Sequence, residues 1–220
     1  MEPIVSGVGV VDKSLGLVAL VAERPRTLSE LVQASGTSRA TTHRLAVALE
    51  THGLLRRGAD GRFTLGLHLI ALGRAATEQF PLAEVAGPAL SELRGATGES
   101  VQIYVRDGEN RVCLIALESP HGLRTIVPVG AVLPMDRGSA GRVLSGEVAA
   151  GSWVQTAGER EAGVASVSAP VRGRDGQLVA AVSVSGPIDR MGKRPGAKHG
   201  EAVLASAAAI ERALAGTRSV

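Results

Sequence analysis

Two helix starts that lie close together in the N-terminal third constrain this chain more than any other feature. The sequence TLSE at Thr27–Glu30 has the form of a capping box, in which the threonine caps a helix and the glutamate reaches back to it. Gly36 suits the left-handed residue that often ends a helix, and Ser38 supplies the cap of the next one. The sequence therefore predicts two helices joined by a tight turn at Gly36.

The segments on either side of these helices predict a winged helix-turn-helix. Apolar residues recur at helical spacing over residues 9–23, which predicts a first helix there. Short strands are expected at Leu54–Arg57 and Arg62–Leu65, on either side of an Asp-Gly turn. The third helix is expected over residues 38–52, and its predicted buried residues are Thr42, Leu45 and Leu49. In this fold the third helix enters the major groove of DNA, with its N-terminal side chains toward the bases.

The charge of this region favours the same interpretation. Five arginines lie between Arg39 and Arg62 against two acidic residues, although the net charge of the whole chain is only +3. A positive patch confined to one short region is the electrostatic footprint expected of a nucleic-acid-binding protein. The alternative is an ordinary basic surface that faces water.

The rest of the chain predicts an α+β domain. A linker helix is expected over residues 66–79, and an apolar stripe over residues 82–93 predicts a helix that ends near Gly98. The final helix is expected over residues 197–215. The expected strands are residues 100–106, 111–118, 123–130 and a hairpin of two strands within 163–187. This order predicts an antiparallel sheet flanked by helices.

Several other protein classes are excluded by what the sequence lacks. Cys113 is the single cysteine, which excludes an internal disulfide or a zinc knuckle, and the histidines have no metal-ligand spacing. No Gly-x-Ser-x-Gly elbow suggests a hydrolase, so we expect neither an enzyme nor a cofactor. No apolar run approaches the ~20 residues that span a membrane, and the start of the chain lacks the features of a secretory signal. We expect a soluble, cytoplasmic protein with no membrane partner.

Three stretches carry a resemblance to a known family: TTHRLAVALETHGLL, RFTLG and GVASVSAPVRGRDGQLVAAVSVSGP. Over nearly its whole length the chain resembles the IclR family of bacterial transcriptional regulators. The stretches SGVGVVDK, TGESVQIY and GEREAGVASVSAPV are similar to an actinobacterial branch linked to amino-acid metabolism genes. The resemblance implies a winged helix-turn-helix over residues 6–65, a linker helix over 66–79, and a GAF-like or profilin-like effector domain over 80–220.

The resemblance also implies which residues bind. In the third helix, the implied DNA contacts are Ser38, Arg39, Thr41, His43 and Arg44, and in the wing Arg57 and Arg62 are expected on phosphates. In the effector domain, the residues implied to surround a small molecule are Thr125, Leu133, Ser139, Ala140, Ser166, Ser183 and Ser185. Family members usually bind palindromic double-stranded operators as homodimers or tetramers, so we expect the same partners here.

The chain departs from the family pattern in one segment. Between GSAGRVL and GEREAGV the family usually has two or three helices that help to cover the effector pocket, and here only Ser145–Ala157 remain. We therefore expect a cover too short for those helices and weak effector binding. Ser183 and Ser185 lie two apart on a strand and face the same side, where they either donate to a polar ligand or bond within the sheet.

Three functions follow from these observations. We expect a sequence-specific dimeric regulator whose effector domain senses an amino-acid-related metabolite. The first alternative is a DNA-binding regulator that has lost its effector response. The second is a metabolite-binding or hydrolytic domain with a vestigial helix-turn-helix. Operator binding with a steep dependence on salt distinguishes the second alternative, and ligand-induced changes in melting temperature distinguish the first.

Overall fold

Three helices and a two-stranded hairpin form the first part of the computed structural model, which describes residues 6–149 and 151–216. A further helix follows them. These elements are α1 (Gly9–Glu23), α2 (Leu28–Ser35), α3 (Arg39–Thr51), β1 (Leu55–Arg57), β2 (Phe63–Leu65) and α4 (His68–Glu78). The chain divides into an N-terminal and a C-terminal unit between Thr77 and Glu78, inside the predicted linker helix.

The predicted capping box is present at the start of α2. The Thr27 hydroxyl accepts a hydrogen bond from the Glu30 backbone N–H at 3.3 Å, and a Glu30 carboxylate oxygen accepts one from the Thr27 N–H at 2.7 Å. Gly36 ends the helix at φ 65°, the left-handed conformation that favours glycine. These two local signals are the reason that the helix-turn-helix boundaries could be placed within one residue.

The core of the N-terminal unit shows which side of α3 points inward. Thr42, Ala46 and Leu49 are buried, whereas Leu45 is only half-buried. The prediction that Leu45 belongs to the fully buried face was therefore wrong, because the buried stripe follows the spacing i, i+4, i+7. The core that α3 joins consists of Leu17, Val21, Leu31, Ala46, Leu49, Leu55 and Phe63.

The wing has the predicted position. Strands β1 and β2 pair antiparallel, with Leu55 opposite Leu65 and Arg57 opposite Phe63. Each strand begins one residue later than predicted. Backbone hydrogen bonds in both directions between Phe63 and Arg26, at 3.1 and 2.7 Å, attach the hairpin to the segment before α2. These bonds fix the wing beside the helix-turn-helix.

A six-stranded sheet in the order β5-β4-β3-β8-β7-β6 organises the C-terminal unit, and every neighbouring pair is antiparallel. The elements are α5 (Pro81–Val85), α6 (Gly87–Thr97), β3 (Ser100–Asp107), β4 (Asn110–Leu117), β5 (Val132–Pro134), α7 (Ser139–Leu144), β6 (Val154–Ala157), β7 (Val164–Arg172), β8 (Leu178–Pro187), α8 (Ile188–Met191) and α9 (Pro195–Gly216). The predicted α+β fold class is confirmed. No helix in the described part of the chain is long and apolar enough to cross a bilayer.

The two faces of this sheet pack against different helices. Ile103 of β3 packs in a core that includes Leu90 of α6 and Ile210 of α9. The next residue, Tyr104, points to the opposite face and packs in a second cluster with Val143 of α7. Successive side chains of a strand alternate between faces. The face that α7 covers is where polar side chains accumulate.

Two predicted elements differ from the structure. Residues 123–130 do not form a strand, and the short edge strand Val132–Pro134 takes that place beside β4. Pro128 has no N–H to donate, and Gly130 turns the chain at φ 84°. The helix predicted over residues 82–93 is divided at Ala86, because Pro88 in the first turn of α6 cannot donate to a preceding carbonyl.

Candidate DNA-binding surface and buried polar cluster

Ser38 and Thr41 hold the start of α3. The Ser38 hydroxyl oxygen accepts from the Thr41 N–H at 3.3 Å and lies 3.0 Å from the Thr41 hydroxyl oxygen. Both hydroxyls were predicted to contact DNA, and both are used within the helix cap. The cap leaves the earlier backbone N–H groups of α3 without a partner inside the helix, which favours an anion at this end.

Three cationic or polar side chains project outward from the first two turns of α3. Arg39, His43 and Arg44 are all exposed. Arg39 reaches the Ser29 hydroxyl at 3.4 Å, which is a long and weak hydrogen bond. The His43 and Arg44 side chains have no hydrogen bond or ion pair with any described residue. This face of the helix is therefore free to donate hydrogen bonds to a ligand.

An open groove of about 620 Å³ separates α3 from the wing. Its lining residues are Leu28, Arg39, Ala40, His43, Arg57 and Phe63. The Arg57 guanidinium lies 5.5 Å from the centre of the Phe63 ring and donates to the Gly61 carbonyl at 3.2 Å. Stacking on an aromatic ring orients a guanidinium without neutralising it. Arg57 therefore keeps its charge beside the groove.

Arg62, the second wing residue predicted to contact phosphate, has different surroundings. Its guanidinium lies 2.9 Å from a carboxylate oxygen of Glu30, and Glu30 also pairs with Arg24 at 2.8 Å. Hydrogen bonding to the Thr27 backbone and then to Arg24 lowers the pKa of Glu30 to about 2. The carboxylate is thus ionised at neutral pH and partly neutralises Arg62.

Arg56 is a basic wing residue that the sequence interpretation missed. It is exposed on β1, and its Nε donates to the Thr64 hydroxyl at 3.1 Å. Arg56 lies next to Arg57 in the sequence. It was counted among the five arginines of the basic region but was not predicted to contact DNA. The wing therefore presents Arg56 and Arg57 as its charges without a carboxylate partner among the described residues.

The C-terminal unit contains a buried cluster of hydroxyl groups. The Ser139 oxygen at the start of α7 lies 2.7 Å from those of both Ser166 and Ser168 on β7. The Ser168 hydroxyl donates to Ser183 on β8 at 2.9 Å, and Thr156 lies 3.0 Å from Ser166. Ser185 donates to the Gln102 side chain on β3 at 3.1 Å. Ser183 and Ser185 thus both bond within the sheet, which is the alternative stated for these two residues.

Five of the seven predicted effector residues meet around one small cavity. Ser139, Ala140, Ser166, Ser183 and Ser185 line a space of about 20 Å³, together with Tyr104, Arg111, Gly138 and Arg160. A volume of this size accommodates about one water molecule. The sequence correctly placed these side chains near one another, but the cavity is far smaller than a metabolite.

Thr125 and Leu133 are not part of this cavity. The Thr125 side chain is buried elsewhere, and its carbonyl oxygen accepts from the Ser100 hydroxyl at 2.7 Å. Leu133 is half-buried on the edge strand β5, where it packs against the apolar cluster beneath α7. Thr125 and Leu133 therefore lie away from the five predicted residues that line the cavity, and effector binding by any of the seven stays a prediction.

Arg111 is the residue of this site that the sequence analysis missed. It is the second residue of the mostly apolar strand β4, is only 2% exposed, and lies 5.5 Å from the centre of the Tyr104 ring. One guanidinium nitrogen donates to the Pro134 carbonyl, while its Nε has no hydrogen-bond partner. Burial lowers the pKa of Arg111. The sequence alone does not show whether an arginine within a hydrophobic strand will be buried.

The shortened segment is anchored by a tryptophan. Trp153 lies against α9 where two glycines leave room, since a Cβ at Gly196 or Gly200 would lie 2.1 or 2.4 Å from the indole ring. The Gln155 side chain also accepts a hydrogen bond from the Gly196 N–H at 2.8 Å. Within residues 145–149 and 151–157 the structure has no helix, in agreement with the predicted loss of the usual cover.

Models of two protein domains match this chain. The IclR helix-turn-helix domain matches residues 10–59, and the IclR C-terminal domain of bacterial transcriptional regulators matches residues 74–148 and 146–212. The second model thus matches in two pieces that meet at the shortened segment. This position agrees with the predicted loss of family residues there.

Curated relatives give the same family. The chain is 32% identical to the HTH-type transcriptional regulator KipR of Bacillus subtilis, over 60% of this chain and 53% of that protein. It is 29% identical to the transcriptional repressor IclR of Escherichia coli, over 64% of this chain and 53% of that protein. The chain thus matches about half the length of each. A glycerol operon regulatory protein of Streptomyces griseus is 26% identical, over 94% of this chain and 96% of that protein.

Solved structures share the fold. The Thermotoga maritima IclR structure superposes with a TM-score of 0.75 and 19% identity, covering 94% of this chain and 98% of that one. An IclR homologue of Microbacterium hydrocarbonoxydans, solved with 4-hydroxybenzoate, superposes with a TM-score of 0.76 and 21% identity, covering 93% and 100%. The domain models cover most of the chain in the expected order, and so the chain belongs to the IclR family of transcriptional regulators, which are not enzymes.

Proposed function

We propose that this chain is a sequence-specific DNA-binding regulator that binds its operator through α3 and the wing. The observation that carries the proposal is the exposed face of α3, where His43 and Arg44 have no partner among the described residues. Arg39 lies on the same helix and is held only by a 3.4 Å contact. Side chains in this position of a helix-turn-helix contact base edges in the major groove.

The wing supports the same proposal. Arg56 and Arg57 lie on β1, and Arg57 lines the groove beside α3. Their charges suit the phosphates that flank a major groove, where contacts position the protein without specifying sequence. Ser38 and Thr41 contribute by holding the helix start, and Arg62 contributes less than predicted because it pairs with Glu30.

The proposal extends to assembly and to target genes. We expect a homodimer or tetramer that binds a palindromic operator in the cytoplasm, since the two-fold symmetry of a dimer matches two half-sites. Exposed apolar side chains on α1, namely Val10, Val11 and Leu15, form a surface that a second copy could bury. We also expect control of amino-acid metabolism genes, by repression or activation. This expectation rests on the stretches SGVGVVDK, TGESVQIY and GEREAGVASVSAPV, which resemble the actinobacterial branch linked to such genes.

Binding of a small effector in the C-terminal unit is the second part of the proposal. Five predicted residues line one cavity beneath α7, and a related protein of known structure was solved with 4-hydroxybenzoate. One observation favours the alternative of a regulator without an effector response. The cavity has a volume of about 20 Å³, and the hydroxyls of its serines already have hydrogen-bond partners within the protein.

Fluorescence anisotropy tests the proposal directly. The full chain is titrated onto duplexes from upstream of its own gene and of the neighbouring genes, with shuffled duplexes of equal length as controls. We expect one duplex to bind more tightly than its shuffled control, and its affinity to fall steeply with salt. Equal binding to native and shuffled DNA would show an architectural role, and no binding to either would support the vestigial helix-turn-helix.

A further inference from the structure

An exposed valine lies on the same face of α3 as the hydrogen-bond donors that have no partner. Val47 is 42% exposed, and it follows His43 by four residues and Arg44 by three. Residues at these spacings are neighbours on the surface of a helix. Leu49, two residues further along, points to the opposite, buried side. Val47 therefore presents an isopropyl group directly beside two side chains that can donate hydrogen bonds.

The stability of the helix does not explain a valine at this position. A β-branched side chain loses rotamer freedom in a helix, and an apolar side chain gains nothing from facing water. Val47 belongs neither to the core of the N-terminal unit nor to the apolar residues packed against that core. Single apolar residues are common on protein surfaces. The position of this one beside His43 and Arg44 is what indicates a contact.

The residues on either side of Val47 limit the part of α3 that suits DNA. Toward the start of the helix, Ala40 lines the groove beside the wing together with Leu28 and Phe63. Its small side chain allows the helix to approach a base edge closely. Toward the end of the helix, Glu50 is exposed three residues after Val47, and its carboxylate would be repelled by phosphates. The face that suits a polyanion therefore ends at Val47.

The chemistry of the base edges decides which base an isopropyl group selects. Thymine is the base that presents a methyl group in the major groove, whereas guanine, adenine and cytosine present acceptors or an amino group. A valine that covers one of these polar groups offers it no hydrogen bond, and burial of an unsatisfied polar group is unfavourable. Against thymine, the same side chain buries one apolar group on another. Contact and exclusion therefore favour the same base.

We propose that Val47 is a specificity-determining residue of the operator complex, and that it selects a thymine by contacting the 5-methyl group. The inference rests on the proposed function, because it assigns a base to the helix that is proposed to enter the groove. Arg44 and Val47 are separated by about 4.5 Å along the helix axis, and stacked bases by about 3.4 Å. The thymine should therefore lie close to the position that Arg44 contacts.

Replacement of thymine by deoxyuridine tests this contact, since it removes the 5-methyl group and keeps the base pair. Each thymine of the duplex that the wild-type full chain binds selectively is replaced in turn, and affinity is measured by fluorescence anisotropy at fixed salt. We expect one thymine in each half-site whose replacement weakens binding about fourfold, the value of one buried methyl group. A C·G pair at the same position should weaken binding about tenfold or more, because Val47 then covers an amino group.

Val47→Ala supplies the second test. The matched control is Val179→Ala, which truncates another exposed valine, on β8 in the C-terminal unit. Val47→Ala should bind the thymine and deoxyuridine duplexes equally, about fourfold more weakly than the wild type binds the thymine duplex. Val179→Ala should keep the wild-type difference between the two duplexes. Thermal unfolding should show that both variants fold, since both side chains are exposed.

The outcomes separate this inference from the function on which it rests. Selective operator binding without any thymine whose methyl group matters would overturn the contact and leave the regulator standing. A thymine preference that persists in folded Val47→Ala would do the same, because another side chain would then select the base. Loss of the preference in Val179→Ala as well would also overturn the assignment to Val47. Failure to bind any duplex selectively would instead contradict the regulatory function, and the base contact with it.

Discussion

Arg44 of the N-terminal unit and Arg111 of the C-terminal unit lie in opposite surroundings. Arg44 projects from α3 into solvent without a partner among the described residues, whereas Arg111 is enclosed beside Tyr104 and a group of serines. Water stabilises an exposed guanidinium, so the protein can hold it ready for a polyanion at little cost. An enclosed guanidinium has lost that hydration and favours a ligand that replaces it.

The neighbouring hydroxyl groups differ in the same way. Ser38 and Thr41 are exposed or half-buried at the start of α3 and satisfy one another in a helix cap. Ser168 is fully buried and bonds to Ser139 and Ser183 across two strands and a helix. Ser38 and Thr41 stabilise the start of a surface helix, whereas Ser139, Ser168 and Ser183 join α7 to the sheet in the interior. The contrast teaches that the same residue types order the start of a surface helix when exposed and constrain the packing of the interior when buried.

Arg44 is exposed only if α3 turns its apolar side toward the core. Leu49→Ala tests this orientation, and its expected loss of stability is the largest effect. Leu49 is 6% exposed in the core of the N-terminal unit. The truncation should lower the free energy of unfolding by about 2–5 kcal/mol, because a cavity replaces the side chain. Chemical denaturation measures the change. Val47→Ala, on the same helix at 42% exposure, is the control, and an equal loss in both variants would mean that α3 is rotated.

The interior hydroxyl set is tested by Ser168→Ala. This change leaves Ser139 and Ser183 each without one buried hydrogen bond, so stability should fall by about 1–3 kcal/mol. Denaturant titration of the full chain gives the value. Ser91→Ala on the exposed side of α6 should change stability by less than about 0.5 kcal/mol. If Ser168→Ala proves as stable as the wild type, these hydroxyls are available to a ligand at no cost to the fold.

The exposed surface is tested by Arg44→Ala. We expect operator affinity to fall by about 1–3 kcal/mol, the usual size of one base or phosphate contact, while the melting temperature stays the same because Arg44 is exposed and has no hydrogen bond or ion pair with a described residue. Anisotropy at matched salt measures the affinity. Arg94→Ala, which removes another exposed charge, on α6, serves as the control. Unchanged operator affinity in Arg44→Ala would contradict the placement of α3 in the groove, and an equal loss in both variants would mean that only the overall charge matters.

Local signals explain why so much of the fold could be predicted from sequence. The capping box at Thr27 and Glu30, the left-handed Gly36 and the apolar strand Leu178–Pro187 all depend on residues that are close in the chain. The division of the helix at Ala86 and the loss of a strand over residues 123–130 also had local causes, in Pro88 and Pro128, that the periodicity obscured. The helices and strands were predicted accurately where neighbouring residues in the chain all favoured the same local structure.

The candidate sites were predicted less completely, because their properties depend on contacts between distant residues. Whether Arg111 is buried depends on α7 and β5, which lie more than twenty residues further along the chain. Whether Arg62 is available to DNA depends on Glu30, thirty-two residues before it. A basic run in the sequence shows where charges are but not which of them already have a carboxylate partner.

Arg57 and Arg62 in the wing test whether a carboxylate partner reduces the contribution of an arginine to DNA binding. The expected effect, a change in salt dependence, is the smallest of those considered. Arg57 stacks on Phe63 with its charge uncompensated, and Arg62 lies 2.9 Å from Glu30. Each phosphate contact steepens the dependence of log affinity on log salt by about 0.9. Arg57→Ala should therefore reduce the slope by about one unit, with equal losses on operator and shuffled DNA, since phosphates carry no sequence information.

Arg62→Ala should change the salt slope less than Arg57→Ala does. The Glu30 carboxylate remains ionised above pH of about 2, so at neutral pH it competes with any phosphate for the Arg62 guanidinium. Glu30→Gln, which removes the nearer carboxylate from Arg62 and leaves Asp60 at 3.8 Å, should then raise affinity for both DNA sequences and steepen the slope, because the closest competitor of the phosphate is gone. Anisotropy over a series of salt concentrations measures all three variants. Equal slopes for Arg57→Ala and Arg62→Ala would show that the ion pair breaks without cost when DNA binds, and a shallower slope in Glu30→Gln would show that Glu30 instead positions the wing.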